Sequence, residues 1–154
     1  MTSKRILLSL ENADATTRLG VRLGAVVKPG DVLLLDGPVG AGKTHLARAL
    51  IQSILAVPED VPSPTFTLVQ EYETTHGPLW HTDLYRLGGP DEIEELGLLD
   101  AFDTAICLVE WPDRLGPYAP KEALRITLAP QGKGRTATLE TQAARWADVL
   151  ERAA

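Results

Sequence analysis

Residues Gly37-Pro38-Val39-Gly40-Ala41-Gly42-Lys43-Thr44 carry a narrow chemistry. An apolar run, Val32-Leu33-Leu34-Leu35, precedes them, and a helical stretch from His45 to Ile51 follows. This is the P-loop pattern G-x-x-x-x-G-K-[ST] between a strand and a helix. Successive backbone N–H groups in such a turn form a concavity for phosphate oxygens, and the helix N-terminus adds partial positive charge. Gly37, Gly40 and Gly42 admit positive φ and close backbone approach. Lys43 reaches toward β- and γ-phosphates, and the Thr44 hydroxyl toward Mg²⁺. The motif predicts nucleoside triphosphate binding. It does not name the base or show hydrolysis.

Other polar groups stand where they can complete such a site. Glu110 ends the apolar run from Ala105 to Val109, and ligands of open α/β sheets bind beyond the carboxyl ends of strands. It takes the place of the Walker B acid, and its longer reach than Asp suits a water-bridged metal or the attacking water. Trp111-Pro112 would set an indole beside it. His81, Asp83 and Tyr85 alternate and so share one face of an extended segment. Asp83 is a candidate metal ligand or base, His81 a satisfied framework histidine, and Arg86, opposite, a structural ion-pair partner. Ser63, Thr65 and Thr67 lie just past the P-loop helix, where their hydroxyls can meet a γ-phosphate or Mg²⁺ or merely feed a strand. Lys133 and Arg135 form a basic pair on a C-terminal turn.

These residues require a framework. Ile6 to Leu10 reads as a strand, and Asn12 or Asp14 caps a helix with apolar positions Leu19, Leu23, Val26 and Val27. A strand from Val32 to Asp36 and a helix from Lys43 to about Leu55 flank the P-loop. Recurrent proline excludes helix between Val57 and Pro64. Thr65 to Glu73 and Leu79 to Leu87 read as a hairpin around His76-Gly77-Pro78. Pro90 opens a short helix that Gly97 ends. Leu124 to Leu128 and Thr136 to Glu140 form a second hairpin, and a helix from Ala143 to Ala153 closes the chain. The expected fold is a three-layer α/β/α P-loop domain spanning residues 1–154, its central sheet mostly parallel with antiparallel hairpin additions.

The chain has 154 residues, formal charge −6 and 44% hydrophobic residues. That length suits one domain with one good core. The acidic balance argues against gripping nucleic acid alone through phosphates. One cysteine, Cys107, makes no disulfide framework, and its apolar neighbours mark it as a small buried hydrophobe. We read neither a signal peptide nor a membrane span, and expect a reducing cytoplasm.

Four motifs in series, GAGKT, SPTFTLVQEY, HTDLYRL and ICLVEWPD, resemble the TsaE family (formerly YjeE), small P-loop ATPases of tRNA threonylcarbamoyladenosine synthesis. The resemblance runs from about Thr16 to Arg135. It implies an ATP- and Mg²⁺-dependent subunit that acts on a TsaD–TsaB pair without itself transferring the threonylcarbamoyl group, and that meets tRNA only through that complex. It matches Lys43 and Thr44 to phosphate and metal, Asp83 and Glu110 to the metal and catalysis, and Arg135 to the nucleotide. The nucleotide is expected against Gly37, Val39, Gly40, Ala41, Gly42, Lys43, Thr44 and His45, with Thr65, Trp111 and Arg135 approaching from other elements. The chain departs from the family at Pro38-Val39, where Asp-Leu is frequent; Pro38 lacks one N–H donor. Two other readings stand beside this one. A small-molecule or nucleoside kinase would need an Arg-rich lid, which the scattered arginines do not supply. A non-catalytic switch would bind nucleotide without turnover.

Overall fold

The computed structural model describes residues 3–153; Met1, Thr2 and Ala154, the ends of the expected domain, lie outside them. The elements in chain order are β1 (Lys4–Leu10), α1 (Ala13–Gly24), β2 (Val32–Asp36), α2 (Lys43–Ile54), β3 (Val69–Thr74), β4 (Gly77–Asp83), α3 (Asp91–Glu95), α4 (Leu98–Thr104), β5 (Ile106–Glu110), a 3₁₀ segment (Pro112–Tyr118), β6 (Leu124–Gln131), β7 (Gly134–Thr141) and α5 (Ala144–Ala153). One seven-stranded sheet runs β1-β7-β6-β2-β5-β4-β3. The central strands β6, β2, β5 and β4 are parallel, and both flanks are antiparallel.

Alternation along the central strands divides the core into two. Leu33 and Leu35 of β2, with Ile106 and Leu108 of β5, face the layer of α1, α2 and α5. Val32, Leu34, Cys107 and Val109 face the opposite layer, with Ile93 of α3 and Leu98 of α4. The three-layer expectation holds. β5 is buried along its whole length, as a strand flanked by β2 and β4 and covered on both faces must be. Cys107 is fully buried there, and burial pushes its thiol up to about 12.

α2 owes its seat to Leu46, Ala47, Leu50, Ile51 and Ile54, all buried at helical spacing in the core between that layer and the sheet. The Asn12 side chain caps α1, accepting from Ala15 N at 2.9 Å. In α5, Trp146 and Leu150 turn one apolar face inward. Trp146 is 1% exposed, so Trp146→Ala is expected to lower stability by about 3–5 kcal/mol. A urea melt checks this; an unchanged midpoint would detach α5 from the core.

Several boundaries differ from expectation. α1 stops at Gly24, leaving Val26 and Val27 in the turn that follows; Val27 is still buried. Residues 65–68 form a turn in which Leu68 N donates to Pro64 O at 2.7 Å, so β3 starts only at Val69. Leu68 takes φ 68°, which breaks the apparent alternation. β4 ends at Asp83, and Leu84 to Leu87 turn away through Leu87 N donating to Leu84 O. Gly97 ends α3 but also opens α4, a helix absent from the sequence reading. Among the described residues no helix is long and apolar enough to cross a membrane.

Candidate functional site

β2 delivers the P-loop, β5 delivers Glu110 and β4 delivers Asp83, all at the carboxyl end of the parallel strands. Asp83 pairs in register with Glu110, so the two acids lie side by side on the face that α2 covers. They are 4% and 2% exposed. A cavity of about 400 Å³ opens above them. Val39, Gly40, Gly42, Lys43, Thr44 and His45 line it from the loop and from α2. Thr65, Asp83, Tyr85, Glu110, Trp111 and Arg135 line it from four other parts of the chain.

Lys43 opens α2 but folds back over the loop. Its Nζ donates to the Gly37 carbonyl, lies 3.5 Å from the Pro38 carbonyl oxygen, and sits 3.5 Å from the centre of the Trp111 ring. Burial lowers its pKa, against the pull of Glu110, Asp36 and Asp83. The result is a nearly buried cation beside the cavity. Trp111 reaches it because its backbone is left-handed, φ 58° and ψ 55°, directly after β5. For a bulky residue this conformation costs about 1–3 kcal/mol. Packing holds it, with the Tyr85 ring centred 4.8 Å from that of Trp111.

Gly42 has φ 102°, and a Cβ there would overlap the Arg135 guanidinium. The final hairpin therefore lays a cation directly on the loop. Gly37 and Ala41 shape the loop without lining the cavity. Gly37 N donates to Asp36 Oδ1 at 2.9 Å, and Ala41, whose N donates to Pro38 O, is buried in the core. Val39 stands exposed at the rim. His45 Nε2 is hydrogen bonded to the Thr17 hydroxyl of α1 at 2.8 Å.

Both acids are held at both oxygens. Thr44 Oγ1 donates to Glu110 Oε1 at 2.8 Å, and His81 Nε2 lies 2.7 Å from Glu110 Oε2. Thr65 Oγ1 donates to Asp83 Oδ2 at 3.0 Å, and Tyr85 N donates to Asp83 Oδ1 at 2.9 Å. Ser63 and Thr65 are joined through their hydroxyls at 2.7 Å, so the proline-bounded segment hangs on Asp83. Thr44, Glu110 and Asp83 thus present hard oxygen donors at one place. Among the described residues no three His, Cys, Asp or Glu form a group able to hold a metal ion. The oxygens present suit an ion that completes its shell with phosphate and water, as Mg²⁺ does.

Some sequence expectations need correction. His81 is no satisfied framework residue: it is fully buried and grips Glu110, while its Nδ1 has no partner among the described residues. Arg86 finds a ring instead of an acid, lying 4.8 Å from the centre of Phe66, which is itself exposed. Thr67 accepts from Gln70 and stays out of the cavity. Lys133 lines a separate cavity of about 280 Å³, which Arg135 also borders. Tyr85, noted only for sharing a face with Asp83, belongs to the main lining. Its signal was that alternation, although the strand ends before it.

Residues 10–137 match the family model described as "Threonylcarbamoyl adenosine biosynthesis protein TsaE". A Rickettsia felis protein named "tRNA threonylcarbamoyladenosine biosynthesis protein TsaE" is 40% identical over 70% of this chain and 63% of its own length, so the chain spans under two thirds of that relative. A Bacillus subtilis protein of the same name is 39% identical over 79% of this chain and 75% of its own. The crystal structure of Bacillus subtilis YdiB superposes with a TM-score of 0.77 at 30% identity, covering 99% of this chain and 95% of that one.

Proposed function

This chain belongs to the TsaE family, and from that premise we propose that it is an ATP-hydrolysing subunit required for threonylcarbamoyladenosine modification of tRNA. It acts on a TsaD–TsaB complex and leaves transfer of the threonylcarbamoyl group to those partners. The observation that carries this reading is the meeting of Lys43, Thr44, Asp83, Glu110 and Arg135, from separate elements, around one cavity.

The chemistry follows from those groups. Amides of the Gly40–Lys43 stretch and the start of α2 cradle the phosphates. Lys43 exchanges the Gly37 and Pro38 carbonyls for β- and γ-phosphate oxygens, which are better partners for a buried cation. Arg135 lies over Gly42 and adds a second positive charge for the phosphates. Thr44, Asp83 and Glu110 would hold Mg²⁺, which when bound draws charge from the phosphate oxygens. Glu110 and Asp83 would also accept hydrogen bonds from the attacking water and so aim it. A cytoplasmic setting goes with it, where ATP and tRNA meet.

Alone, the chain offers one arginine at the cavity and should turn over slowly. Adding TsaD–TsaB is expected to raise ATP turnover by about tenfold or more, by ordering the 63–67 segment or supplying charge in trans. The test is the ATPase rate against added partners, with modified tRNA counted over repeated rounds. Partners that neither bind the chain nor change its rate would overturn the proposal. Phosphate transfer to an added small molecule would replace it with a kinase.

A further inference from the structure

Glu110 has a carbon more than Asp in its side chain, and with it an extra torsion to be fixed. His81 stands where it can fix that torsion. It lies two residues before Asp83 on the same face of β4, in register with Leu108, two residues before Glu110. It is fully buried, and it does not line the cavity. Its Nε2 is 2.7 Å from Glu110 Oε2. An ionised carboxylate only accepts, so the proton of this hydrogen bond sits on Nε2. Nδ1 is left without a partner among the described residues. The ring therefore makes a single side-chain hydrogen bond, and makes it to the acid of the site.

We infer that His81 is a positioning residue: by donating to Oε2 it holds the Glu110 carboxylate so that Oε1 faces Thr44 and the cavity. The inference rests on Glu110 being an acid of the ATPase site. It accounts for a Glu at this strand end, since the longer side chain reaches Thr44 on one side and a deep anchor on the other. Angular freedom in a group that aims water or metal costs rate far more than it costs binding.

Four measurements test this. His81→Leu removes the donor, while His81→Gln restores an amide N–H near the position of Nε2. His81→Leu is expected to lower kcat by about tenfold or more with KM for ATP nearly unchanged, and His81→Gln to recover most of that loss. In a Glu110→Gln background, adding His81→Leu should cause little further loss, because both act through one carboxylate. Nitrogen-15 shifts of the imidazole, read without nucleotide, should place the proton on Nε2. Full kcat in a folded His81→Leu chain, equal loss in the Leu and Gln variants, or a proton on Nδ1 would each overturn the inference. Should His81→Leu fail to fold, the Gln variant and the nitrogen shifts decide it. Full turnover in Glu110→Gln would overturn the site reading and this inference together, whereas loss there with no loss in His81→Leu overturns this inference alone.

Discussion

Glu110→Gln and Asp83→Asn are each expected to cut ATP turnover by about 10²-fold or more while ATP still binds. Each change keeps shape and removes one negative charge. The two side chains sit together almost out of water, with Lys43 as their near cation. An amide at 110 can still accept from Thr44, but it supplies no charge for a metal and is a poor acceptor for a reacting water. An amide at 83 can still accept the Tyr85 N–H, so the turn after β4 should persist. Binding should survive because the loop amides, Lys43 and Arg135 are untouched. Single-turnover hydrolysis alongside equilibrium ATP binding separates the two effects. A loss of only a few-fold in both variants would return these acids to the framework.

Lys43→Ala is expected to weaken ATP binding by about 10- to 100-fold, the worth of a charged hydrogen bond of roughly 1.5–3 kcal/mol, and to lower turnover with it. The fold should hardly notice. Lys43 is buried against loop carbonyls and the Trp111 ring without a direct ion pair among the described residues, and its charge is already disfavoured there. The melting temperature without ATP should therefore move little, while the upward shift that ATP produces in the parent should shrink. A folded variant with undiminished ATP stabilisation and turnover would sink the P-loop assignment.

Much of this was legible in the residues. The P-loop, β2 and α2 follow from motif and spacing, and the buried run of β5 follows from its lack of polar interruption. Glu110 could be named because it closes an apolar run, and Asp83 because it alternates with His81 and Tyr85 on one face of an extended segment. Their adjacency could not, because it depends on β4 lying parallel beside β5, a pairing between distant segments with no local trace. The same pairing brings His81 under Glu110, which is why His81 passed for framework. Thr65-Phe66-Thr67-Leu68 alternates as a strand would, yet the Leu68-to-Pro64 hydrogen bond coils it into a turn. Leu98, Ala101 and Phe102 do carry helical spacing, and all three are buried. Gly97 masked them, since a glycine that stops one helix was not read as starting the next.

Cys107 has a use quite apart from its packing. It is the sole cysteine of the sequence, fully buried, with a thiol pushed up to about 12. The thiolate is the form that attacks thiol-directed reagents, so this buried thiol stays inert at neutral pH in the folded chain. This chain is therefore a background for single-site labelling without further change. Phe66, at 81% exposed on the segment hung from Asp83, is the natural place for a new one. A fluorophore on Phe66→Cys would follow that segment as ATP and partners arrive, with the catalytic groups left as they are.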